Sequence, residues 1–106
     1  MWAYTGNDLK MAEGDFGIGL TIIVNGVDFT DQDVIKLTFK KAVNDQNVIL
    51  EKTYTPVNNT IELEFTAEES ALFQVGNYVY AMDWYRGSEL LCNVTPVAYF
   101  KVVDKV

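Results

Sequence analysis

The chain has no histidine, a single cysteine, two prolines and only eight basic residues among its 106. Without histidine it lacks the side chain that most often moves protons near neutral pH, and Ser70 and Ser88 sit in no nucleophile-elbow context. Enzymatic activity is therefore not expected. One cysteine closes no intramolecular disulfide and offers no thiolate metal site. Cys92 lies in the apolar run Leu90-Leu91-Cys92, with no neighbouring base in sequence to activate it, and reads as a small buried hydrophobe. Fifteen acidic residues against eight basic ones leave a net charge of −7. That field repels a phosphate backbone, so nucleic acid is excluded as a partner. Gly14, Gly17 and Gly19 precede a strand-like pattern rather than a helix, so no phosphate-cradling loop is present and no cofactor is expected. The longest uncharged run, Phe16 to Val27, is well short of the ~20 residues a membrane helix needs. Residues 1–8 carry neither a basic nor an apolar leader segment. Cytoplasmic synthesis without membrane insertion is the expectation.

What remains is 49% apolar and 22% charged, the range of one globular domain. The dominant hydrophobic period is two, the period of half-buried strands. Ile18, Leu20, Ile22 and Val24 share one face of a segment that ends at the turn-forming pair Asn25-Gly26. Ile35, Leu37 and Phe39 alternate with Lys36, Thr38 and Lys40. Val48 to about Thr55 follows a polar turn, and Pro56 with Asn58-Asn59 punctuates the chain before Ile61, Leu63 and Phe65 alternate with Glu62 and Glu64. Thr66-Ala67-Glu68-Glu69 matches a capping box and predicts one short helical turn near 66–73, ended by Gly76. Tyr78, Tyr80, Met82 and Trp84 then share one face of the most aromatic strand. Arg86-Gly87-Ser88 makes a hairpin turn, Glu89 to Val94 returns, and Phe100 and Val102 point inward on the last strand.

Seven or eight short strands at regular spacing predict an all-β fold, a two-sheet antiparallel β-sandwich of immunoglobulin-like size. Residues 13–106 form the sandwich, and residues 1–12 are read as an extended N-terminal arm.

Two groups of side chains are candidates for binding. Asp28, Asp31 and Asp33 fall within six residues and form a weak calcium candidate, although their spacing is not that of an EF-hand; an ordinary acidic loop is the favoured reading. Trp2, Tyr4 and Leu9 on the arm, with Tyr85 and Arg86 at a hairpin tip, are candidate contacts for another protein. Trp2, Tyr85 and Tyr99 could instead stack on sugar rings, which makes a carbohydrate-binding or adhesion module the alternative. Asp83, beside Trp84 in an apolar strand, is read as a partly buried acid that accepts from a turn or from Arg86.

The segment Met11-Ala12-Glu13-Gly14-Asp15-Phe16-Gly17-Ile18 resembles the Gly-Asp opening of the N-terminal domains of phage baseplate upper proteins of Gram-positive hosts. Phe65-Thr66-Ala67-Glu68-Glu69-Ser70-Ala71-Leu72, followed by Gly76-Asn77-Tyr78-Val79-Tyr80 and Trp84, is similar to the next stretch of that pattern. Phe100-Lys101-Val102 fills its final strand, so the likeness spans Glu13 to Val103. The resemblance implies a phage or prophage structural protein, made in a bacterial cytoplasm and carried in the virion. It would bind other phage structural proteins in a tail or baseplate and pair with copies of itself.

Overall fold

The computed structural model describes residues 3–5, 8–23 and 28–104, with the backbone alone at 3–5, 18–20 and 92–97. The described chain contains eight strands and one helical turn. In order these are β1 (Ala3–Thr5), β2 (Asp8–Ala12), β3 (Gly17–Ile23), β4 (Asp33–Lys40), β5 (Val48–Tyr54), β6 (Thr60–Phe65), α1 (Ala67–Ser70), β7 (Gly76–Arg86) and β8 (Glu89–Val103). They form an all-β sandwich of two sheets, one ordered β1-β2-β8-β7-β4-β5 and the other β3-β6. Among the described residues no helix is long and apolar enough to cross a membrane.

The alternations put the expected side chains inside. Ile35, Leu37 and Phe39 from β4, Ile61, Leu63 and Phe65 from β6, and Phe100 and Val102 from β8 are all buried. From β7, Tyr78, Tyr80 and Met82 are buried as well, with Trp84 half-buried. The centre is aromatic. The Phe39, Phe73 and Phe100 rings lie 5.1–5.6 Å apart, edge to face, and Phe65 stacks on Phe73. Burying each such ring contributes ~1.5–3 kcal/mol.

Three local devices close the fold. Asn58 and Asn59 both take positive φ in the tight turn between Val57 and Thr60, which exchange backbone hydrogen bonds. The Thr66 hydroxyl accepts from Glu69 N–H at 3.1 Å and the Glu69 carboxylate accepts from Thr66 N–H at 2.9 Å, completing the capping box. That turn carries the chain from the small sheet to the large one and delivers Phe73 to the core, while Ala71 and Leu72 remain exposed. Tyr78, near the start of β7, donates to the Gln74 carbonyl at 2.9 Å and accepts from the Gln74 N–H at 3.0 Å. Such a tyrosine corner locks the crossing between sheets.

The structure corrects the reading of the chain's beginning. Residues 8–12, expected in an arm, form β2, which runs parallel to the end of β8 with Leu9 opposite Phe100 and Met11 opposite Val102. Leu9 and Met11 are buried. The large sheet is thus mixed rather than purely antiparallel. β8 is one strand where two segments were expected, and register shifts against β7 absorb its length. The Asn25-Gly26 turn lies outside the described residues.

Candidate interaction surfaces

The most organised polar cluster sits where β4 begins and β7 ends. The pairing register puts Asp33 directly opposite Arg86. Asp33 shares parity with Ile35, Leu37 and Phe39, so its side chain points inward and is fully buried. Arg86 meets it with two bonds, Nε to Oδ1 at 2.8 Å and Nη2 to Oδ2 at 3.1 Å. A bidentate guanidinium–carboxylate pair is among the strongest side-chain contacts available. Thr30 adds its backbone N–H at 2.6 Å and its hydroxyl at 3.3 Å. The Arg86 bonds, with the Thr30 N–H, outweigh burial and hold the Asp33 carboxyl far below the usual carboxylate range. The Trp84 indole N–H makes no hydrogen bond of good geometry, yet it lies near enough to lower that carboxyl further. Gly87 N–H donates to the Gln32 carbonyl at 3.1 Å, tying the hairpin to the 28–33 loop. Phe29 meets Trp84 edge to face at 5.2 Å, and the Arg86 guanidinium lies over the Trp84 ring.

This cluster replaces the calcium candidate. Asp28 and Asp31 face solvent while Asp33 is spent on Arg86 and Thr30, so the three do not converge. Among the described residues no group of three or more acidic or thiol side chains is placed to hold a metal ion. Arg86's partner is therefore Asp33 and not Asp83, which is half-buried and lies across from Lys36 on the outer face.

The five candidate contact residues do not form one patch. Trp2 lies outside the described residues. Tyr4 is in β1, opposite Leu9, with only its backbone described. Leu9 is core, because it alternates with the exposed Asp8 and Lys10 against β8, and it is withdrawn as a contact. Tyr85 is half-buried with the Lys36 ammonium over its ring at 5.3 Å, and Arg86, although exposed, is held by Asp33. The hairpin lies at the far end of β7 from β2, roughly 20 Å away at the usual strand rise. Tyr99, 64% exposed, faces out beside Val79, six positions along β7 from Tyr85, so the two do not form one stacking platform.

Other exposed apolar side chains were less expected. Leu90 and Leu91 are both open to solvent, although the run around Cys92 reads as buried from sequence; the Cys92 side chain lies outside the described residues. Phe16, just before β3, and Ile23, its last residue, are 68% and 62% exposed.

The edge of β6 is occupied differently. Lys52, from the inner side of β5, donates to the Glu64 carbonyl and to Glu69 Oε1 at 2.8 Å. The Tyr54 hydroxyl contacts the same Glu64 backbone at 3.4–3.5 Å. Burial alone would raise the Glu69 carboxyl, but Lys52 and the Thr66 N–H bring it below its ordinary value. An open groove of ≈ 610 Å³ continues beside these contacts, between Tyr54, Val57, Thr60 and Glu62.

No family model, curated protein or solved structure matches this chain.

Proposed function

We propose that the chain is a non-catalytic structural module of a phage or prophage particle, binding other subunits of a tail or baseplate. The observation that carries this reading is where its ionisable chemistry is spent. Among the described residues the groups with displaced pKa values are Asp33, Glu69, Tyr80 and Arg86. Asp33 and Arg86 hold each other, Glu69 caps a turn and receives Lys52, and Tyr80 is pushed up to about 12 by burial and then by Asp8. Displaced pKa values collect at reactive sites when a protein performs chemistry. Here Asp33, Arg86 and Glu69 belong to contacts that tie strands and turns together and Tyr80 is buried in the core, which supports shape and surface as the means of action.

The sequence likeness adds its own support. The Thr66–Glu69 segment and Tyr78, which belong to the baseplate-like pattern, are the capping box and the corner that join the two sheets. A rigid sandwich with exposed apolar residues at its edges suits docking in a repetitive assembly.

Deletion with complementation tests the proposal. Removing the chain from an inducible phage or prophage should abolish infectious particles, and supplying it from a plasmid should restore them. Undiminished titres of intact particles from the deletion would overturn the reading.

A further inference from the structure

Two carboxylates tie strands and turns together in this molecule, and they lie at different depths. Where β4 begins, the Asp33 side chain is fully buried and receives two Arg86 bonds and the Thr30 N–H. At the seam between the sheets, Glu69 of α1 accepts from Lys52 Nζ at 2.8 Å and from the Thr66 N–H at 2.9 Å. Lys52 comes from β5 of the large sheet and also donates to the Glu64 carbonyl of β6, in the small one. Its ammonium thus spans the seam. The Glu69 side chain keeps 25% of its surface exposed, whereas that of Asp33 keeps none. The other ionisable groups around this contact are Glu68 beside it on α1, Glu64 on β6 and Tyr54 on β5. Glu64 and Glu68 are exposed, and the Tyr54 hydroxyl meets the Glu64 backbone.

These surroundings set the order in which the two groups take up protons. A carboxylate is kept ionised by the donors that favour its charged form. Asp33 would weaken three N–H bonds on protonation, two of them from a guanidinium, in a site closed to water. Glu69 would weaken two, with water at hand. Against the cost of burial, Lys52 and the Thr66 N–H bring the Glu69 carboxyl below its ordinary value, while Arg86 holds Asp33 far lower. Glu69 therefore adds stability above the ordinary glutamate value of 4.5 and loses it as pH falls through its folded value. Asp33 loses its own contribution only in stronger acid.

We propose that the Lys52–Glu69 contact is an acid-released latch: as pH falls it lets go of the seam between β5 and β6 while the Asp33–Arg86 pair still holds β4 to β7. Release takes the carboxylate from both the Lys52 ammonium and the Thr66 N–H, and α1 loses half of its capping box. A helix of four residues does not persist on propensity alone. Its bonds from Ser70 N–H to Thr66 and from Ala71 N–H to Ala67 then open, at the crossing from the small sheet to the large one. The latch follows from these contacts and stands whatever the chain docks to.

Amide hydrogen-exchange protection, measured by NMR between about pH 6 and pH 3, tests it. In the wild type, protection of the Ser70 and Ala71 amides should fall about fivefold across this range, the size of one lost helix cap. The Gly87 amide, bonded to Gln32 beside Asp33, should keep its protection. Glu69→Gln, which carries the neutral side chain at every pH, should show the low α1 protection throughout, without pH dependence. Lys52→Met should move the α1 transition to higher pH, because the ammonium no longer favours the ionised carboxyl. Loss of protection at Ser70 and Gly87 together, at one pH, overturns the inference. So does an α1 whose protection is constant across the range, a Glu69→Gln chain with the wild-type pH dependence, or a Lys52→Met transition at the wild-type pH.

Discussion

Asp33 shows how much one residue's meaning depends on parity. Three acids in six positions read as a solvated loop, yet Asp33 is the first member of the alternation that continues through Ile35, Leu37 and Phe39. That signal was legible. Its partner was less so, because Arg86 is reached only through the β4–β7 register, fifty-three positions along the chain. A depressed carboxyl contributes stability above the pKa of the unfolded chain and loses it as pH falls toward the folded value. Asp33→Asn should therefore melt below the wild type at pH 7, and the gap should narrow as pH falls below the ordinary aspartate value of 3.8. Thermal melts across pH 2–7 check this; a gap independent of pH would show that the ion pair contributes no net charge-dependent stability. Leu90 and Leu91 mark the opposite limit. Their hydrophobicity says nothing of whether a second layer covers them, and among the described residues both stay exposed.

At the scale of elements, the locally encoded ones were the readable ones. The capping box, the Asn58-Asn59 turn and the alternations of β4 and β6 each depend on residues within a few positions of one another, and each formed where the sequence placed it. Strand β2 was missed for a physical reason. A parallel partner needs no tight turn, so no glycine or asparagine announced that residues 8–12 would join the far end of the chain. The alternation of Leu9 and Met11 with Asp8 and Lys10 was present but too short to argue against an arm. The long β8 was likewise read as two segments, Glu89 to Val94 and a last strand with Phe100 and Val102, and it contains Pro96, a residue that ordinarily interrupts a strand. Thr66→Ala should cost about 1 kcal/mol, as lost helix caps do, measured by urea unfolding. No change in the midpoint would mean that Lys52 alone holds Glu69 and the turn.

For the whole molecule, the sandwich follows from composition and period, whereas its surface does not. Which aromatics are exposed depends on how a two-strand sheet covers a six-strand one, and that is set by long-range pairing. The candidate contacts were chosen by residue type, so they scattered across the core, the hairpin and the undescribed end. Among the described residues β3 has a single strand neighbour, β6, which only the long-range pairing reveals. Under the proposed assembly reading the protein acts by fitting against others, and Asp33 and Glu69 are committed to contacts within its own fold. Particle composition tests that claim most directly. Quantitative mass spectrometry of gradient-purified particles from the induced source strain should find the chain at a fixed copy number relative to the major tail protein. Its complete absence from such particles, with the chain abundant in the unassembled fraction, would contradict the account.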